Sequence, residues 1–189
     1  MKKSFGKSLG RIRRDRSPWK GAVAGVVAGA AATVVMSQFQ NAWSRISARM
    51  KSDEDRANDA RRQHSQESDE DATSKVVAKV ARIAGHNLSD DQKQKGGSLV
   101  HYGFGTTMGL LYGMTMEMAR PRVKLPEAVA GLGFGTALFI GADEVMVPVL
   151  GLSGKPGDQP FGSHLYGLAS HLVYGIAAEG VRGLVRRLL

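Results

Sequence analysis

Five residues with acid–base capacity, His101, Asp143, Glu144, His164 and His171, stand in or beside stretches that otherwise carry no charge. Ionisable groups in such surroundings are costly unless they are paired, so they mark either function or a buried polar network. Imidazole titrates near neutrality, and a neighbouring carboxylate favours its charged form. Carboxylates within reach of these rings would therefore hold a proton or a divalent cation. His164 and His171 share a helical face at seven-residue spacing but lie about 10 Å apart along the axis, too far for one metal ion to take both. His171, nearest the middle of its stretch, needs a partner: Tyr112, Tyr174 or a backbone carbonyl. The plainer reading of the same five residues is a hydrogen-bonded network that caps helix ends and fixes a bundle.

A second group pairs acids with bases three residues apart, Glu117 with Arg120 and Glu179 with Arg182. Gly105, Tyr112, Gly113, Glu117 and Arg120 recur as Gly167, Tyr174, Gly175, Glu179 and Arg182 at a constant offset of 62 residues. The recurrence points to an internal duplication and to a symmetric polar clasp between the second and fourth of the four spans identified below. No nucleophile stands in a recognisable pairing with a base and there is no cysteine, so no enzymatic activity is expected. No cofactor or metal site is expected either. Gly131-Leu132-Gly133-Phe134-Gly135 and Gly154-Lys155 lack the strand before and helix after that a phosphate loop requires.

The elements that must position these groups follow from where charge is missing. Residues 21–44, 96–116, 128–142 and 161–178 contain no formally charged side chain. At about 1.5 Å per helical residue, runs of this kind cross a hydrocarbon core of roughly 30 Å. The expected fold is all-α: a four-helix transmembrane bundle built from two similar helical hairpins, with spans at residues 19–43, 97–118, 126–146 and 161–181. Trp19 and Trp43 bracket the first span, as amphipathic rings do at membrane interfaces. Small residues recur every fourth position in Gly21, Gly25, Gly29, Thr33 and Ser37, and again in Gly105, Gly109 and Gly113. Gly131 and Gly135 repeat Gly25 and Gly29 at an offset of 106, and Gly167 and Gly175 mark the last span. Such faces let helix backbones approach closely, which is what holds helices together in lipid.

Residues 44–88 form an extra-membrane polar connection, helical or disordered, with an amphipathic helix at 73–84. Val76, Val77, Val80, Ile83 and Ala84 share one face of that helix, and Gly85 is placed to end it. Ser89-Asp90-Asp91-Gln92 reads as a capping box opening residues 89–187, which hold the last three spans. The formal net charge of +9 is concentrated in the tail 1–18 and in the short link after the second span. By the positive-inside rule both termini are cytoplasmic. The tail lacks the aromatic interleaving and binding fold of a nucleic-acid partner. A cleaved signal is the competing reading of the first span, with Ala28-Gly29-Ala30 as the cut, but the uncharged run continues to Trp43.

Val100-His101-Tyr102-Gly103-Phe104-Gly105, Gly141-Ala142-Asp143-Glu144 with Pro148, and His164-Leu165-Tyr166-Gly167 through His171 to Tyr174-Gly175 together resemble the YagU-like bacterial inner-membrane family. The resemblance implies a bacterial inner-membrane location and a transmembrane fold, and supplies no catalytic residue. The expected partners are the lipid bilayer and further copies of the chain. The expected role is a structural or interaction bundle that self-associates through glycine faces. The alternative is a proton-linked or cation-linked transporter or channel lined by the five acid–base residues.

Overall fold

The computed structural model describes residues 17–50, 72–119, 126–153, 157 and 159–189. Among them all regular structure is helical: α1 (Pro18–Met50), α2 (Ala72–Ile83), α3 (Asp90–Met118), α4 (Glu127–Leu138) and α5 (Phe161–Leu188). α4 runs on without a break into π-helical turns over Phe139–Met146 and a last α-turn, Val147–Val149. The basic tail 1–16, residues 51–71 of the polar connection, and Arg120 with the link to residue 125 lie outside the described residues. Two helical stretches, Pro18–Met50 and Glu127–Val149, are long and apolar enough to cross a membrane. α3 and α5 match α1 closely in length but fall short in hydropathy, because glycine contributes little and their ionisable groups subtract.

Local chemistry accounts for the helix ends. α2 stops in a Schellman arrangement: Gly85 adopts φ 77°, its N–H donates to Arg82, and the His86 N–H reaches back to Ala81. Glycine alone takes that left-handed conformation without a Cβ penalty. α3 opens with a complete capping box. The Ser89 hydroxyl accepts from the Gln92 N–H, and the Gln92 side chain accepts from the Ser89 N–H. The π-helical turns precede Pro148, whose ring has no N–H and would collide with the Glu144 carbonyl in a regular α-turn. Widening the helix relieves the conflict, and the Val147 N–H bonds five residues back to Ala142.

α1 packs against both α3 and α5, α4 packs along α5, and α2 lies on the early turns of α3. The start of α1 and the end of α5 meet at one pole, where the Lys20 ammonium donates to the Leu189 carbonyl at 2.7 Å. The Ser17 N–H lies 3.4 Å from Glu117 at the end of α3. At the far pole Lys79 of α2 donates to the Leu150 carbonyl just beyond α4. Only the first half of the apolar stripe of α2 is covered, with Ser74 against Gly97 and Val77 against Gly96, while Val80 and Ile83 stay exposed.

Packing is inverted relative to a water-soluble core. On α1 the buried side chains are Gly21, Ala24, Gly25, Ala28, Gly29, Ala32, Thr33 and Met36, whereas Val23, Val26, Val27, Val34 and Val35 face outward. The buried face is the small one because the neighbouring helix comes close. A Cβ on Gly29 would stand 2.6 Å from the Gly105 carbonyl, one on Gly21 2.7 Å from that of Gly113, and one on Gly25 would strike that of Gly109. On the other hairpin Gly131 meets the Gly175 carbonyl and Gly135 that of His171.

The two hairpins differ in register. By the sequence offsets, the Gly25–Gly109 approach corresponds to Gly131 against His171. The structure sets Gly135 against His171 and Gly131 against Gly175, one helical turn along. The glycine positions expected to promote self-association are thus covered within the chain. Gly167 is also covered, by the Phe139 ring edge and the Asp143 carboxylate.

Candidate functional site

The π-helical turns carry Asp143 and Glu144 and aim both carboxylates at α5. Glu144 accepts from His164 Nδ1 at 2.6 Å. Two turns deeper, His171 Nδ1 donates to the Gly167 carbonyl at 2.9 Å and lies 3.5 Å from Asp143 Oδ2. A carbonyl only accepts, so Nδ1 must carry the hydrogen, leaving Nε2 as the nitrogen free to gain or lose a proton. Gly167 makes this possible twice over. Its carbonyl orients the ring, and a Cβ there would lie 2.9 Å from Phe139 and 3.3 Å from Asp143 Oδ2. The ionisable groups that act on Asp143 are His171 from α5, Glu144 beside it, and His101 from α3. All five residues of the expected outer group therefore converge. Their partners are one carboxylate per imidazole for His164 and His171, and a backbone carbonyl rather than a tyrosine for the His171 ring.

Two cavities meet at Asp143. The smaller, about 230 Å³, opens among the far-pole loops and is lined by Asp143, Glu144, His164, Ser153, Gln159 and Ser163, among others. The larger, about 690 Å³, lies between α1, α2, α3, α4 and α5 and includes Asp143, His101, His171 and Tyr174 in its wall. α1 and α2 contribute no charged side chain to either wall. Among the described residues no three of the acidic and histidine side chains converge closely enough to hold a metal ion.

Below the larger cavity, toward the terminal pole, polar groups close the bundle. The Tyr174 hydroxyl, on a side chain almost wholly buried, donates to the Gly105 carbonyl at 2.6 Å and ties α5 to α3. Tyr174→Phe removes only that bond. The expected loss is about 1 kcal/mol, since the carbonyl belongs to a helix, read as a lowered thermal midpoint in detergent. Tyr112 stacks on Phe134 of α4 at 4.0 Å, with the Arg182 guanidinium 5.9 Å from the Tyr112 ring centroid. Arg182 holds Glu179 in a two-bond fork, both distances 2.6 Å. Glu117, whose expected partner Arg120 lies outside the described residues, is gripped by Arg186 at 2.7 and 2.8 Å. The clasp thus joins α3 to α5 through Glu117 and Arg186. Arg186 was legible only as the continuation of the Glu179–Arg182 face by one further turn. The peripheral pair Arg187–Glu127 adds α4 to the same pole.

Fold and site together define an all-helical bundle with a carboxylate–imidazole cluster between two cavities and an ion-paired seal at one pole. The chain belongs to the family described as a protein of unknown function (DUF1440), whose profile matches residues 74–180. That match contains the entire outer cluster, both cavity-lining stretches of α3 and α4, and Glu117 and Glu179, and stops short of Arg182 and Arg186. No curated protein and no solved structure matches the chain.

Proposed function

We propose that this chain is a multi-pass protein of the bacterial inner membrane, with four spans and both termini cytoplasmic, that couples proton movement to passage of a solute. The membrane reading is supported by the inverted packing, because branched apolar side chains turned outward and glycine and alanine turned inward suit lipid. Outward-facing hydroxyls agree with it. Thr107, Thr115 and Thr136 each donate to the carbonyl four residues back, at 2.8, 2.8 and 2.9 Å, so none needs water. The resemblance to the YagU-like family points to the same location.

One observation carries the transport reading: Asp143 stands in the wall of both cavities with His171 at 3.5 Å. A proton arriving through the smaller cavity meets Glu144 and His164, then Asp143, then His171 and His101. Beyond them lies the seal made by Tyr174, Glu179–Arg182 and Glu117–Arg186. The arrangement is that of a carrier open toward the outside and closed toward the cytoplasm. The glycine faces that would otherwise argue for an interaction bundle are occupied within the chain. A homo-oligomer would have to join elsewhere, and α4 with the π-helical turns after it offers Gly133 and Gly141, where an added Cβ meets nothing within 4 Å.

The test is proton flux in liposomes holding the purified protein, with membrane voltage clamped and a pH step imposed. Internal pH should relax faster with the parent than in empty liposomes. Asp143→Asn and His171→Ala should return the rate to the empty value while keeping the parent's helical spectrum. A folded parent no faster than empty liposomes defeats the reading.

A further inference from the structure

We infer that the larger cavity is a binding site for a bulky lipophilic organic monocation, held by the Asp143 carboxylate. The inference rests on the carrier reading only for its purpose, since binding itself needs no membrane or gradient.

Size comes first. A cavity of about 690 Å³ falls in the range of sites that enclose small organic ligands, roughly 300–1,000 Å³. Its walls are mostly apolar, built from side chains such as Met36, Val100, Phe104, Met108, Leu138 and Met146. Water in such a space is easily displaced by hydrocarbon, which favours a lipophilic body. Flexible methionines adapt to ligands of varied outline.

Charge comes second. Among the described residues in the wall of this cavity, Asp143 is the only one with a formal charge, and none is a lysine or arginine. An anionic ligand would meet a carboxylate and no lysine or arginine. A neutral one would leave that carboxylate partly desolvated, with only imidazole rings beside it. A cation offsets it, and tyrosine rings in the same wall, Tyr102 and Tyr166, offer π faces to a cation too bulky to hydrate well. One carboxylate selects one positive charge, because Glu144 is engaged by His164 and belongs to the smaller cavity.

The same geometry links ligand to proton. His171 Nδ1 lies 3.5 Å from Asp143 Oδ2, so a protonated imidazole and a bound monocation would compete for the same carboxylate. The groups facing Asp143 in that competition are His171, Glu144 and His101, with none from α1 or α2.

The experiment is equilibrium dialysis of radiolabelled tetraphenylphosphonium against the full chain in detergent, with radiolabelled tetraphenylborate, of the same shape and opposite charge, dialysed separately. Saturable binding of the cation is expected, and none of the anion. Binding of the cation should weaken about tenfold or more in Asp143→Asn, the scale of one lost charge-assisted contact. Asp143→Glu should retain most of it, and Met108→Trp, which fills the cavity and keeps the carboxylate, should abolish it. Equal binding by Asp143→Asn, equal saturable binding of tetraphenylborate, or no saturable binding by a parent with intact helical spectrum each overturns the inference. Binding with no proton flux in liposomes would leave the site standing and remove the carrier. Proton flux with no binding would do the reverse.

Discussion

Gly109→Val should part α1 from α3. A Cβ at this position would strike the Gly29 Cα, with the Gly25 carbonyl 2.6 Å away and the Gly29 nitrogen 2.7 Å away. Every one of those atoms is backbone, so no rotamer change can relieve the clash and the helices themselves must move. Overpacking of a tight contact costs about 1–3 kcal/mol, and the upper end is expected because a branched side chain meets main chain on a helix that also packs against α5. Thermal unfolding in detergent, followed by the far-ultraviolet helical signal, reads the loss. Gly133→Val is the control, since a Cβ there meets nothing within 4 Å. An equal loss in both variants would mean that valine disturbs the helices rather than the contact between them.

Arg186→Met should be comparably severe for a different reason. Its guanidinium forks onto Glu117 with side-chain exposures of only 8 and 11 %. Removing one member of such a buried pair takes from the other charge its two-bond partner, at about 3–5 kcal/mol. The Glu117→Leu, Arg186→Met double variant removes both charges and should recover most of the loss, because an apolar pair of similar volume is often neutral or better. Denaturant unfolding of the three proteins closes the cycle. If the double variant were as unstable as the single, the pair would be contributing direction and packing rather than mutual neutralisation.

What could be read from the chain beforehand divides along physical lines. The helices were legible because uncharged runs between polar segments have few other solutions, and the capping box and Gly85 because their chemistry is complete within four to six residues. The register between helices was not. Glycines every fourth residue specify a face but leave open which turn of one helix meets which turn of the next, and the second hairpin is set one turn away from the sequence offsets. The π-helical turns left no periodic signal, only Pro148, which alone would have suggested a kink. The five acid–base residues could be singled out by type and depth, yet their partners could not. The pairing of Glu144 with His164 and of Asp143 with His171 depends on how far the widened helix rotates each carboxylate toward α5. Arg186 was overlooked for the same reason: its partner lies 69 residues away on another helix.

The position of that partner also orders events in time. α3 is synthesised before α5, so Glu117 exists without Arg186 until the chain has grown by 69 residues. On the membrane reading, the carboxylate must wait near the lipid surface, and α1 and α3 must find each other through their glycines without help from the terminal seal. The last turns of α5 then act on a pair already assembled, drawing Glu117 into place and joining α3, α4 and the start of α1 at once. On that reading insertion ends in a locking step, and a chain halted before Arg186 would hold its helices in the bilayer with the terminal pole still unlatched.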